Sequence, residues 1–208
     1  MKLIGTYLSP YARRVAAALI SRGLPFEHEA VNGYQEFETA SRYNPVAKVP
    51  SLVLDDGEVL IDSHSILDYL DSLVPADRKL YPFTEPARHR ALKIAALATG
   101  LADKSVSLFY EMRLHGQVSD VWVNRCRAQI AGVLVALEAD RARRGGAYWF
   151  GDRIGHADIA VTAALSFLSE VHPSLIGLVD FPALGAHVGR LEALPAFEAI
   201  RQPFIAPT

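Results

Sequence analysis

Ser9-Pro10-Tyr11-Ala12-Arg13-Arg14-Val15 is the stretch whose reading decides the fold. An apolar run, Leu3 to Leu8, precedes it, and Val15-Ala16-Ala17-Ala18-Leu19-Ile20 follows with the texture of a helix. Residues 2–8 read as a strand and 10–22 as a helix closed by Gly23. Proline fits a first helical position, because the N–H it lacks would have no intrahelical partner there. Ser9 stands at the helix-capping place, where the N–H groups of the first turn point outward. A helix start carries partial positive charge and spare donors, so it favours an anion. From these residues alone the anion is a thiolate, a phosphate or a carboxylate.

Outward from this point, Pro25 to Val31 reads as a second strand, with Phe26, His28 and Ala30 alternating against Glu27 and Glu29. Residues 34–43 suit a short irregular helix. Ser51 to Leu54 and Glu58 to Ile61 flank Asp55-Asp56-Gly57, a hairpin with an Asp-Gly turn. A helix follows over Ser63 to Leu73. Pro75, Pro82 and Pro86 then punctuate a linker, beyond which no strand pattern appears. Helices are expected at 86–115, 118–144, 155–170, 180–191 and 195–201. The segment 155–170 is apolar nearly all round and should be buried. The fold class is therefore α/β plus all-α: a βαβαββα domain over residues 1–77 and an all-helical domain over 86–208.

The bulk composition narrows the partners. The chain has 208 residues, half of them apolar, with a net charge of −2 and one cysteine. There is no basic excess to suggest nucleic acid, and no apolar run reaches the roughly 18 residues of a membrane span. The N-terminal stretch lacks a signal-peptide pattern, since Gly5 and Thr6 interrupt it. A lone cysteine, Cys126, rules out an internal disulfide framework and suits the cytoplasm; a buried small apolar role is expected for it. The seven histidines have no metal-ligand spacing. Arg141, Arg143 and Arg144 read as a solvated helix C-terminus, favourable to the dipole.

Two further stretches carry chemistry: Asn44-Pro45-Val46-Ala47-Lys48-Val49-Pro50 and Asp62-Ser63-His64-Ser65-Ile66-Leu67-Asp68-Tyr69-Leu70. The pattern strand–S-P-Y–helix, then N-P-x-x-K-V-P, then D-S-x-x-I-x-x-Y-L, resembles the N-terminal domain of a cytosolic glutathione S-transferase of the serine type, as found in bacteria. Gly151-Asp152-Arg153-Ile154-Gly155-His156-Ala157-Asp158 resembles the motif that opens a buried helix in the second domain of that family. The resemblance spans essentially the whole chain. It implies a thioredoxin-like domain that binds glutathione as co-substrate, and a helical domain that supplies much of the electrophile pocket.

What the resemblance implies can be set beside what each residue can do. Ser9 matches the hydroxyl that donates to the glutathione sulfur. A free thiol titrates at about 8.5, and lowering that by about two units takes about 2.7 kcal/mol. One hydrogen bond to a charged group supplies roughly 1.5–3 kcal/mol, and a helix N-terminus adds roughly 0.3–1 kcal/mol. Neither a general base nor a metal is required. Tyr7 and Tyr11 are rival hydroxyls: Tyr7 lies two residues before Ser9 on the expected strand, and Tyr11 is placed among the glutathione-binding residues and as a pocket wall. Val49-Pro50 matches the family's cis proline, which leaves the Val49 backbone to pair with glutathione like an added strand. Lys48 matches a contact to the glycyl carboxylate. Asp62 and Ser63 match the pair that takes the γ-glutamyl ammonium and carboxylate. Arg13 and Arg14 either assist the anionic ligand or brace the domain interface. Gly155 stands where the family has Ser or Thr as helix cap, with Asp158 three residues later able to bond back.

The electrophile pocket is expected between Tyr11 and the first long helix, at Ser105, Phe109, Tyr110 and Met112. The implied activity is that of an enzyme, a glutathione transferase acting on a small hydrophobic electrophile, with peroxidase side activity towards organic hydroperoxides. A glutathione-binding scaffold and a glutathione-dependent isomerase or dehalogenase stand as alternatives. The resemblance also implies a homodimer, without nucleic acid, membrane or metal.

Overall fold

The structure, a computed structural model, describes residues 1–82, 84–175 and 180–204. Its elements follow the expected order. Strand β1 is Lys2–Ile4, helix α1 Pro10–Arg22, β2 Glu27–Glu29, α2 Phe37–Tyr43, β3 Ser51–Val53, β4 Val59–Ile61 and α3 Ser63–Ser72. A 3-10 turn at Ala76–Arg78 leads to α4 Ala87–Leu114, α5 Asp120–Ala142, α6 His156–Val171, α7 Pro182–Glu192 and α8 Pro195–Glu198. The expected helical domain to residue 208 includes 176–179 and 205–208, which lie outside the described residues.

The sheet has the order β2-β1-β3-β4, with β1 parallel to β2 and antiparallel to β3, and β3 antiparallel to β4. Alternation along a strand divides its two faces. Leu3 and Leu52 pack under α1 and α3, whereas Ile4 joins Val31, Ala40 and Ala47 beneath α2. The strand expected over 2–8 stops at Ile4. Gly5 turns the chain at φ +139°, and Thr6 to Ser9 form a tight turn in which Ser9 N–H donates to Thr6 O at 3.1 Å. Gly23 closes α1 in the left-handed region, with its N–H on Ile20 O.

Helix α1 is enclosed on all sides. Its alanine run, Ala16-Ala17-Ala18, has no exposed surface, because α1 lies between the sheet and α6. Ile159 of α6, Leu191 of α7 and Phe197 of α8 complete the same apolar cluster as Leu3 and Leu19. Small side chains let these backbones approach, so the two halves of the chain share a core.

A buried carboxylate fixes how they meet. Asp71 of α3 is 6 % exposed and accepts from Leu80 N and Tyr81 N, each at 3.0 Å. His156, the first residue of α6, donates its N–H to Leu80 O at 3.0 Å and holds Nε2 3.3 Å from the same carboxylate. This contact also accounts for the unusual cap. A Cβ at Gly155 would lie 2.8 Å from Leu80 O, so the linker backbone occupies the space a Ser or Thr would need. Asp158 compensates, taking Gly155 N at 2.8 Å and Trp149 N at 2.7 Å.

The arginine cluster at the end of α5 divides: Arg143 stands in solvent as expected, whereas Arg141 and Arg144 do not. Arg141 is 7 % exposed and donates to the carbonyls of Arg144, Gly146 and Ala147, while Arg144 reaches Trp149 O and Asp140. These guanidinium groups tie down the glycine-bearing turn rather than stand in solvent. Cys126 is fully buried, as expected.

Replacing Asp71 by Asn should leave one of two buried N–H donors without an acceptor. We expect a loss of about 2–3 kcal/mol in urea unfolding. Burial holds His156, His172 and His187 below the ordinary value of 6.5, His187 to about 3 with Arg141 and Arg190 adding to the effect. Each binds a proton less readily folded than unfolded, so stability should fall as pH drops through 6.5. Asp158 acts oppositely, since burial pushes its carboxyl from 3.8 up to about 6. Burial likewise lowers His64 and raises Glu170. Four histidines outweigh two carboxyls, and the thermal midpoint should be lower at pH 5.5 than at 7.5; an unchanged or higher midpoint contradicts this.

Candidate active site

The register of the sheet brings the three sequence motifs to one place. Ser51 opposes Ile4 on one side and Ile61 on the other. Gly5, Pro50 and Asp62, the next residue beyond each, therefore lie at the same end of the sheet. Gly5 is required there for a second reason: a Cβ would sit 3.0 Å from Val49 Cβ and 3.1 Å from Ala12 Cβ. The missing side chain lets the loop before β3 close onto the first turn of α1.

Ser9 caps α1. Its backbone is extended, and its Oγ accepts from Ala12 N at 3.4 Å, a long contact. No acceptor for its O–H exists among the described residues, so the hydroxyl proton stays available while the lone pair is partly engaged. Tyr11 is different. Its hydroxyl donates to the Asp103 carboxylate of α4, and burial, then Asp103, raise its pKa well above the ordinary range. The proton of Tyr11 is thus committed to Asp103. Tyr7 lies in the Thr6–Ser9 turn instead of on a strand, with its ring stacked on His28 at 4.0 Å. The period-two argument that set Tyr7 beside Ser9 fails because the strand ends three residues earlier.

The loop 44–48 is organised by Asn44, which is 4 % exposed. Its side chain donates to Lys48 O and accepts from Val46 N, both at 2.9 Å, and its carbonyl takes Ala47 N at 2.7 Å. Ala47 adopts φ +53°, and the Val49-Pro50 bond is cis. No hydrogen bond among the described residues engages the Val49 N–H or C=O. Lys48 projects from this loop as an exposed side chain.

Asp62, at φ +66°, is the cap of α3, and its carboxylate accepts from His64 N at 2.7 Å. Ser63 is the first helical residue and only 3 % exposed, so the cap falls one residue earlier than a serine-capped helix would place it. Behind Ser63 lies Arg14, 1 % exposed. Arg14 Nη1 is 3.4 Å from both Ser63 Oγ and His64 Nε2, and Nε and Nη2 have no hydrogen-bond partner among the described residues. Among the described residues no carboxylate comes within ion-pair distance of it. Arg13 is occupied otherwise. It pairs with Glu192 of α7 through Nη2, at 2.8 and 3.0 Å, and approaches Glu170 at 4.0 Å. The two readings left open for these neighbours divide between them: Arg13 braces the two halves, and Arg14 backs the Asp62-Ser63 turn.

Helix α4 forms the facing wall. Thr99, Asp103 and Tyr110 lie on one side of it, at spacings of four and seven residues. Thr99 meets His64 at 3.3 Å, Asp103 meets Tyr11, and Tyr110 meets Tyr34 with ring centroids 5.3 Å apart. Of the expected pocket residues, Tyr110 lies on this wall and Tyr11, on α1, meets it through Asp103. Ser105 does not: it is fully buried and donates to Leu101 O, since its position turns it into the helical core. Phe109 is 7 % exposed, packed edge-on against Phe204 and His172 beneath Tyr110, so it supports the wall without lining it. Met112, half-exposed, is two residues from Tyr110 and so on the other side of the helix.

Sequence reasoning missed Asp103, Tyr34 and the returning C-terminal segment, where Thr6 Oγ1 donates to Gln202 Oε1 at 3.0 Å. The four-residue spacing of the polar residues 99 and 103 on one side of the helix was a usable signal for Asp103. Nothing local marks Gln202, 196 residues from Thr6.

Residues 3–78 match the family model for the glutathione S-transferase N-terminal domain, and residues 120–190 that for the C-terminal domain. An uncharacterised GST-like protein of Escherichia coli, YibF, is 30% identical over 98% of this chain and 99% of its own. A maleylacetoacetate isomerase of Pseudomonas aeruginosa is 28% identical over 79% of this chain and 80% of its own. A glutathione S-transferase of Methylobacterium radiotolerans, solved in complex with glutathione sulfonate, superposes with a TM-score of 0.92 at 32% identity, covering 100% of this chain and 97% of that one.

The two arginines should respond oppositely to truncation. Arg13→Met strands Glu192 and should lower the thermal midpoint by several degrees. Arg14→Met removes a buried cation without a counterion, so its midpoint should hold or rise. Calorimetric scans of both variants test this.

Proposed function

Because the chain belongs to the glutathione S-transferase family, we propose that it is a glutathione transferase in which Ser9 holds the glutathione sulfur as a thiolate. The observation that carries this reading is the uncommitted Ser9 hydroxyl at the start of α1, beside an unpaired stretch of backbone at Val49. The Ser9 lone pair accepts from Ala12 N, which polarises the O–H toward a negative acceptor. Val49 offers its N–H and C=O to the cysteinyl backbone in the manner of an added strand. Lys48 supplies a cation for the glycyl carboxylate. Asp62 faces the α-ammonium, and Ser63 with the cation of Arg14 behind it favours the α-carboxylate. This donor set fits a zwitterionic tripeptide at both ends.

Ser9 acts as a hydrogen-bond donor, not as a nucleophile. The thiol proton leaves to solvent, the sulfur keeps the electron pair, and Ser9 stabilises the charge until a C–S bond forms. With a halide the leaving group departs with its own bonding pair. Tyr11 takes no part in stabilising the sulfur, since its proton is held by Asp103. We extend the family reading to a homodimer in the cytoplasm, for which the single buried cysteine is suited. The likeness to a maleylacetoacetate isomerase supports a second reading, in which the same thiolate adds to a conjugated double bond and leaves after rotation.

Turnover with glutathione across aryl halides, enones and hydroperoxides should exceed the uncatalysed rate. In Ser9→Ala, kcat/KM should fall about 10²-fold, as for removal of one oxyanion donor, while calorimetric glutathione affinity changes within several-fold. Undiminished turnover in that variant would move the role away from Ser9. Binding without any rate across the panel would favour a scaffold.

A further inference from the structure

Between the end of β1 at Ile4 and the start of α1 at Pro10, residues 5–9 carry the chain to the Ser9 hydroxyl. The first two are tied to the segment around β2: Gly5 N–H donates to Glu29 O at 2.9 Å and Thr6 N–H to Val31 O at 3.0 Å. Beyond Thr6 the backbone bonds among the described residues are local. Leu8 N–H donates to Thr6 Oγ1 at 3.3 Å and Ser9 N–H to Thr6 O at 3.1 Å, while the Thr6 hydroxyl proton goes to Gln202. A turn closed on itself in this way can tilt about Gly5, whose φ of +139° glycine adopts without resistance.

His28 of β2 grips this turn from outside, and thiolate chemistry as such gives it no part. Its Nε2 lies 2.8 Å from Gly5 O. A carbonyl oxygen only accepts, so the imidazole carries a proton on Nε2 and donates it. The same ring lies flat on Tyr7, with centroids 4.0 Å apart and planes 8° from parallel. Tyr7 in turn is half-buried against the apolar cluster around α1. His28 therefore fixes a peptide plane on one side of Thr6 and a side chain on the other. Packing does not require a histidine there: the residue is exposed, and a β-branched or aromatic residue would suit the strand as well.

On the reading that Ser9 holds the glutathione thiolate, we propose that His28 is a positioning residue for Ser9. Its bond to Gly5 O and its stack on Tyr7 set the tilt of the turn, and the turn aims the Ser9 hydroxyl at the sulfur. Hydrogen bonds weaken steeply as their angle degrades, and a functional group must stay within about 0.5 Å of its productive place. Within its own helix Ser9 Oγ has the long 3.4 Å contact with Ala12 N, so its placement depends on the turn before it. Without the His28 grip the donor is present but badly aimed. Glutathione itself is still held, since Lys48, Val49, Asp62 and Ser63 lie on other segments. Stability changes little, because the imidazole is exposed.

The bound thiolate reports the aim of Ser9 directly. Its ultraviolet absorbance is followed against pH in the wild type, Ser9→Ala, His28→Ala, His28→Phe and His28→Gln, each saturated with glutathione. The wild type should ionise the bound thiol below the ordinary value of about 8.5. His28→Ala should raise the apparent pKa of that thiol by about 0.5–1, a three- to ten-fold smaller thiolate population near neutral pH, with a matching fall in kcat/KM. His28→Phe keeps a flat ring for Tyr7 but no donor, and should move it the same way by less. His28→Gln places an amide N–H near the Nε2 position and should recover most of the loss. Thermal midpoints and calorimetric glutathione affinities should stay near the wild-type values. An apparent pKa unmoved in both His28→Ala and His28→Phe, or a loss that His28→Gln does not reduce, overturns the positioning role while the Ser9 reading stands. A Ser9→Ala variant with the wild-type thiol pKa defeats the Ser9 reading, and the role of His28 falls with it.

Discussion

The Asp71 carboxylate is the contact on which the arrangement of the molecule depends. It belongs to α3, yet it satisfies two backbone donors of the linker and lies against the first residue of α6. Burial alone would raise its pKa, but His156 and the Leu80 and Tyr81 N–H groups outweigh burial and hold it below the ordinary value. A charged acceptor with committed donors is costly to disrupt in a low-dielectric place. The linker is thereby pressed onto α6 so closely that only glycine fits at position 155. With that junction fixed, α4 can lie across the mouth of the sheet, and Tyr11 can meet Asp103.

Neighbouring arginines in the first helix show how little sequence adjacency says about role. Arg13 and Arg14 differ by 100° around α1, which is enough to send one toward α7 and the other under α3. The first finds a carboxylate and becomes part of the interface. The second finds a hydroxyl, an imidazole and, among the described residues, no acid. An uncompensated buried cation is unfavourable for the folded state taken alone. Its place behind the Asp62-Ser63 turn makes that unfavourable term useful, because a bound carboxylate would offset it.

Much of the fold was legible because local rules agreed with one another. Proline at the first position and glycine at the end of α1, the Asp-Gly hairpin and the apolar α6 each have a local cause, and each element appears where it was expected. Errors fell where tertiary packing overrode local pattern. The strand through Leu8 was cut short by Gly5, which yields to the approach of Val49. Arg141 and Arg144, at the end of α5, were drawn onto the carbonyls of the glycine turn and of Trp149. Ser105, polar and near the expected pocket, turned out to satisfy its own helix.

The sequence by itself determined the order of elements, the caps of α1 and the three motifs that match glutathione binding, since capping, turn chemistry and periodicity act over a few residues. It also placed Ser9 at an anion-favouring helix start. Tertiary structure decided which hydroxyl remains uncommitted. Along the chain Ser9 is the hydroxyl that the motif match selects and Tyr11 is its rival; the packing of α4, 92 residues away, brings Asp103 to take the tyrosine proton, while the serine proton is unclaimed among the described residues. Such a choice depends on which acceptors lie within about 3 Å once the two halves have docked, and no local pattern carries that information.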